Sequence, residues 1–363
     1  MHKGNLYSPE LFKQNNFDLL RLIAAFQVAL VHAIQHFQVE PLYYVAAYLS
    51  FVPGVPIFFF LSGLLICAAW ERNQDLWIFF GNRFYRIFPG LWVCVFLSTV
   101  VIILYAYILN KNIPYLSLAL WSLMQASFLP QWNPEFLDWY GIGVVNGSLW
   151  TIPVELGFYL FLPIVYVISK KTLISLNKVF LGLLFLSFIV FQIIIIAIPT
   201  SSLQLLVMKL LGFTPIPWFW MFCSGVLVQR YMKIIYPLIV NKMHFFVLLF
   251  LCVSLIGDKF DTPILFGTSN ELGLINWLSL SLLVLSFGYS SPWISDKILK
   301  RNDVSYGIYI YHMPIFNCII SLGLIGNLGL LSGLLLTVLF AIFSWQFIEK
   351  PFLQKRKNTI YSR

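Results

Sequence analysis

The chain has 363 residues, 60% of them hydrophobic and only 10% charged, with a mean hydropathy of +0.85 and a formal net charge of +9. That composition excludes a soluble domain and predicts an all-α integral membrane protein with a single membrane domain. The positive charge does not point to nucleic acid, and the five cysteines, none in a CxxC pair, suggest neither a disulfide framework nor a metal site.

Residues 1–16 are mostly polar and read as a cytoplasmic N-terminal segment, with no cleavable signal peptide. The first predicted span, 17–37, reads FDLLRLIAAFQVALVHAIQHF. It is long enough to cross a bilayer, which takes roughly 20 apolar residues. It nevertheless carries Arg21 and His32, with His36 one turn later. On a helix, the spacing of Arg21 and His32 puts them on nearly one face, about 16 Å apart along the axis. Either Arg21 snorkels and His32 ties helices together, or the two line a groove.

Further spans are predicted at 51–70, 89–109, 149–168, 179–198, 215–229, 244–257, 272–289, 304–325 and 328–348. The apolar stretch 116–129 is short and bounded by prolines. Lys and Arg favour cytoplasmic loops, and that rule arbitrates. If 116–129 does not span and the N-terminus is inside, 19 of the 23 Lys and Arg fall on the cytoplasmic side. We therefore expect a bundle of about ten transmembrane helices, with 116–129 a re-entrant or interfacial element on the outer face. Both termini are cytoplasmic, and a basic tail occupies 353–363 beyond a membrane domain of 17–352.

Arg83 and Arg86 form an RxxR pair in NRFYRIFPG, just before the span predicted to start at Pro89. If the stretch is helical they share a face. Two guanidiniums together suit a phosphate-bearing ligand, although plain positive-inside anchoring explains them too. Glu155 lies in SLWTIPVELGFYL, about 10 Å into its span. A carboxylate there needs a partner: either an arginine, or the imidazole of His32. Pro153 is expected to kink this span. His312, in SYGIYIYHMPIF, either ties helices together or joins the site. The closing WQFIEKPF, with Glu349 and Lys350, reads as a structural juxtamembrane terminus. The layout fits an acyl-CoA, its phosphates at the cytoplasmic arginines and its thin arm threading toward His32 as general base.

The Arg21/His32 span, FFFLSGLLI, RFYRIFP, SLWTIPVELGFYL and SYGIYIYHMPI, in that order, resemble the acyltransferase type 3 family of integral-membrane enzymes that modify cell-surface carbohydrates. The resemblance runs from Phe17 to about Phe352. It implies a ten-helix bundle, cytoplasmic acyl-CoA as donor and a glycan hydroxyl as acceptor on the far side. It also implies functional roles for Arg21, His32, Arg83, Arg86, Glu155 and Trp150. One departure is Ile-Pro-Val-Glu where the family usually has Ser-Val-Glu before the carboxylate. Some members carry an extracytoplasmic SGNH-type domain, which this chain is expected to lack.

The resulting expectation is an inner-membrane O-acyltransferase, most simply an acetyltransferase. It would use acetyl-CoA as donor, no metal, and a surface or lipid-linked carbohydrate as acceptor. His32, Glu155 and Arg21 are the expected catalytic residues; Arg83, Arg86, Trp150 and His312 are expected to bind the donor. The alternative from another class is a transporter or flippase for lipid-linked sugars, since intramembrane Arg, His and Glu also mark transport paths.

Overall fold

The computed structural model describes residues 9–12, 14–127, 129, 132–197, 210–257, 259–260, 262–300 and 302–360. Several basic residues used for the orientation (Lys3, Lys13, Lys209, Arg301 and Arg363), most of the 1–16 segment and the last residue of the predicted 179–198 span lie outside these. No strand occurs among the described residues. The helices are α1 (Phe17–His36), α2 (Tyr43–Leu49), α3 (Gly54–Arg72), α4 (Leu76–Ile108), α5 (Tyr115–Gln125), α6 (Thr151–Thr172) and α7 (Leu176–Gln192). They continue with α8 (Phe219–Arg230), α9 (Met232–Ile239), α10 (Met243–Gly257), α11 (Leu274–Tyr289), α12 (Trp293–Leu299), α13 (Ser305–Ser321), α14 (Gly326–Ser344) and α15 (Lys350–Ile360).

Among the described residues, six helical stretches are long and apolar enough to cross a membrane, and eight if α9 with α10 and α11 with α12 each count as one broken span. Those pairs bend by 89° and 73°. The chain is thus a multi-pass membrane protein. Helices α8 and α13, on predicted spans, have 12 and 17 residues, or about 18 and 26 Å against a hydrocarbon core of about 30 Å.

Several boundaries differ from the sequence reading. The span predicted from Pro89 begins at Leu76, where Asp75 Oδ1 accepts from Ile78 N at 2.8 Å as an N-cap. The helix then runs straight through Pro89. Pro153 is the third residue of α6, where a proline removes no intrahelical hydrogen bond because the first helical N–H groups have no intrahelical acceptor. Within the stretch 116–129, the helix is α5 (Tyr115–Gln125), about 16 Å long and packed on α4 through a 2.8 Å hydroxyl contact between Thr99 and Ser122.

The chain divides into two compact units. The first comprises 1–24, 48–74 and 154–302, and its centre is the crossing of α3 and α8. A Cβ at Gly63 would lie 2.0 Å from Phe222 O, and one at Gly225 would lie 2.1 Å from Phe60 O. Two glycines facing each other's helix let the backbones touch, the usual basis of close helix association in lipid. Next to this crossing, Phe158 stacks on Phe222 and meets Phe59 edge-on. The start of α1 is pinned by buried Asn16, which donates to Ser290 O at 2.8 Å and accepts from Ser295 N at 3.0 Å.

The second unit comprises 25–47, 75–153 and 303–363. Here α13 and α14 pack along their length, and Ala33, Ile34, Phe37, Phe316, Ile319 and Leu330 form a core with the C-terminal half of α1. The loop between α5 and α6 lies on α13. Gly141, at φ +60°, donates its N–H to Ser321 Oγ at 2.8 Å. A Cβ there would fall 1.9 Å from Asn317 Oδ1, so conformation and contact both demand glycine. Buried Asn317 accepts from Ile142 N at 2.7 Å and donates to Val144 O, Val145 O and Met313 O, each at 3.0 Å.

Candidate active site

In the second unit, α1 and α13 bring two predicted site residues into direct contact. His32 Nδ1 lies 2.9 Å from His312 Nε2, with the ring centroids 5.2 Å apart and the ring planes inclined by 25°. His312 is fully buried, and its Nδ1 lies 3.1 Å from Ile308 O, one turn back on its own helix. His36 stands on the other side of His32, ring centroids 5.6 Å apart. The sequence places both imidazoles inside spans but contains no sign that they pair.

Helix α13 is also the dock for the segment leading into Trp150. Pro314 sits inside α13 and has no N–H, so the carbonyl four residues back, Ile310 O, loses its helical donor. Asn146 Nδ2 fills that place at 2.9 Å, and Cys94 Sγ approaches the same oxygen at 3.2 Å. Ser148 Oγ donates to Asn146 Oδ1 at 2.6 Å, and Tyr309 Oη donates back to Ser148 O at 2.9 Å. The short 3-10 turn Gly147–Trp150 is thereby fixed against α13 immediately before α6 begins. In Asn146-Gly147-Ser148, which has the form of a glycosylation sequon, the side chains of Asn146 and Ser148 are buried and hydrogen-bonded, so they serve this dock. From sequence, Asn146 and Ser148 read only as a formal glycosylation sequon of little weight, and Asn317 was missed; the proline two residues after His312 was the available signal for their bonded roles.

Arg83 and Arg86 both lie on α4, confirming the helical i, i+3 spacing. Arg86 Nη2 bonds Asp303 Oδ2 at 2.5 Å, and its Nη1 is 3.8 Å from Glu349 Oε2. Its guanidinium also lies 5.9 Å from the rings of Tyr306 and Trp345. Asp303 Oδ1 accepts from Ser305 N and Oγ, at 3.1 and 2.5 Å, tying this cation to the start of α13. Glu349, read from sequence as part of a structural terminus, is 1% exposed and closes a π-helical turn, Trp345–Glu349. Such turns often occur at functional positions.

The remaining predicted residues lie in the first unit. Arg21 Nη1 pairs with Asp18 Oδ1 at 2.8 Å in the first turns of α1, partly open to solvent. Glu155 Oε1 accepts from Ser62 Oγ at 3.2 Å and from Tyr159 Oη, so hydroxyls are its bonded partners. A different carboxylate has the buried arginine. Glu71 Oε1 meets Arg230 Nη1 at 2.5 Å, with Tyr166 Oη (2.7 Å) and Gln229 Nε2 (3.2 Å) also donating to Glu71. Among the described residues, no group of three or more His, Cys, Asp and Glu is disposed to hold a metal ion.

Known proteins give the comparison. The chain is 29% identical to Nodulation protein 10 of Rhizobium leguminosarum bv. viciae, with 96% of each chain covered. It is 26% identical to the O-acetyl transferase of Shigella phage Sf6, over 95% of this chain and 98% of that one. It is 25% identical to the peptidoglycan O-acetyltransferase OatA of Listeria monocytogenes, over 84% of this chain and 51% of OatA. No solved structure matches. The model of the type 3 acyltransferase domain matches residues 14–348, nearly the whole chain, and the chain belongs to that family.

Proposed function

We propose that this membrane acyltransferase is an inner-membrane O-acetyltransferase. It would move an acetyl group from cytoplasmic acetyl-CoA to a hydroxyl of a surface or lipid-linked carbohydrate. The relatives described as O-acetyl transferases support the acetyl group and the oxygen acceptor. The observation that carries the mechanism is the His32–His312 contact, an imidazole pair held between two helices of a membrane protein of this family. Our reading keeps ten crossings with both termini cytoplasmic, counting the short and bent helices as broken spans.

In this mechanism His32 accepts the proton of the acceptor hydroxyl as its oxygen attacks the thioester carbonyl. The C–S bond then breaks, and His32 returns the proton to the departing sulfur. Arg83 and Arg86 bind the donor phosphates, Arg86 being oriented by Asp303 and Glu349. Trp150 belongs to the acyl end of the donor; His312, which has no exposed surface, reaches the site through His32. Arg21 and Glu155 tune the charge of the reaction path. Family membership favours transfer over flipping, and binding of tritiated acetyl-CoA to the purified protein separates the two.

The decisive test is acetyl transfer by purified protein in nanodiscs, with acetyl-CoA and an acceptor glycan. We expect His32→Ala to lower kcat by about 10²-fold or more, the usual contribution of a general base. A wild-type rate for that variant refutes the mechanism.

A further inference from the structure

We infer that His312 is a positioning residue that holds His32 in the Nδ1–H tautomer and so leaves His32 Nε2 as the proton acceptor. This rests on the reading of His32 as general base. The chain of bonds has one direction. Ile308 O is a carbonyl oxygen and can only accept, so the proton of the 3.1 Å contact sits on His312 Nδ1. A neutral imidazole carries one ring N–H, so His312 Nε2 is an acceptor. The 2.9 Å contact then requires the hydrogen on His32 Nδ1. His32 Nε2 is left with its lone pair.

The neutral form of the pair follows from its setting. His312 has no exposed surface, and the rings lie 5.2 Å apart inside helices of a membrane protein. A charge there costs several kcal/mol unless it is paired. Among the described residues, the partners that touch His312 are another imidazole, the backbone of Ile308 and Tyr309, and the rings of Tyr309 and Phe316. None is a carboxylate. The pair therefore does for His32 what an orienting acceptor does for a catalytic histidine elsewhere: it selects which nitrogen is basic. As the proton moves from the hydroxyl to His32 Nε2, both His32 nitrogens carry hydrogen. The Nδ1–H···Nε2 bond to His312 then strengthens. When the proton passes to the sulfur, the starting tautomer returns.

Two substitutions separate this role from simple packing. His312→Gln can place its side-chain oxygen near the position of Nε2 and keep an acceptor; His312→Leu keeps bulk and removes it. We expect His312→Leu to lower kcat at least about tenfold with little change in KM for acetyl-CoA. His312→Gln should recover most of that loss. The tautomer is read directly by ¹⁵N spectra of ring-labelled histidine in nanodiscs, with the His32 signals assigned by their absence in His32→Gln. Wild type and His312→Gln should show His32 protonated at Nδ1, and His312→Leu should show it redistributed toward Nε2–H.

An unchanged His32 spectrum in His312→Leu overturns the inference, as does a rise in KM with kcat intact. If the spectrum follows His312 as expected but His32→Ala still transfers acetyl at the wild-type rate, the tautomer control is upheld and the base assignment fails.

Discussion

The Glu71–Arg230 pair offers a prediction whose size can be worked from contacts. Their side chains are 7% and 4% exposed, so each charge depends on the other and on its hydrogen bonds. Removing one member of a buried pair typically costs about 3–5 kcal/mol, because the remaining charge is stranded. Arg230→Met leaves Glu71 with donors that include Tyr166 Oη at 2.7 Å and Gln229 Nε2 at 3.2 Å. They soften the loss, and we expect about 3 kcal/mol, roughly two decades in the folding equilibrium. Glu71→Gln leaves Arg230 bonded to Asn177 and should lose a similar amount. The double variant strands no charge, so it should lie within about 2 kcal/mol of wild type, well short of the summed single losses. Unfolding in mixed micelles with increasing SDS, followed by tryptophan fluorescence, measures all four proteins. Additive losses in the double variant would show that the charges are not coupled, and would refute the reasoning.

Gly63→Ala should destabilise by about 2 kcal/mol or more in the same titration, since its Cβ would meet a backbone oxygen. Gly182→Ala, with nothing within 4 Å of the new methyl, should be neutral or stabilising. Asn146→Ala should cost about 1 kcal/mol, because Ile310 O keeps only the weak Cys94 donor. Adding Pro314→Ala, which restores the missing helical N–H, should make the Asn146 substitution less harmful than in the parent, as a double-mutant cycle would read. Arg83→Ala should raise KM for acetyl-CoA about tenfold or more in a transfer assay, with Arg83→Lys only partly restoring it because a point charge does not replace a planar fork.

Most of the architecture was legible because a bilayer leaves the chain few choices. Apolar runs must be helical, and loop charge orients them. The continuous helix over 17–36 follows from that constraint alone. The number of crossings is harder, since hydropathy does not register a bend. The 89° break between α9 and α10 occurs at a few polar residues that resemble any loop. Helix α4 starts thirteen residues before Pro89 because one aspartate side chain caps it, a local bond that outweighs the usual place of proline at a helix start.

The site was legible as residue types and not as partnerships. Periodicity is a local property, whereas His32 and His312 are 280 residues apart in the chain. Nothing in either span alone says which ring nitrogen meets which. Glu349 illustrates a second limit. A π-turn inserts an extra residue into the helical repeat, so a side chain assigned to one face by a 3.6-residue period is carried onto another. That shift helps to place a carboxylate beside Arg86 where the pattern suggested only a membrane edge. Pro314 is the third case. The sequence shows that it must free the carbonyl of Ile310, but not who will fill it. The answer, Asn146, comes from a loop 164 residues away that also leads to Trp150. Two carbonyls of one helix turn, those of residues 308 and 310, thus take side-chain donors from His312 and Asn146. One interrupted turn thereby fixes both the imidazole pair and the entry to α6.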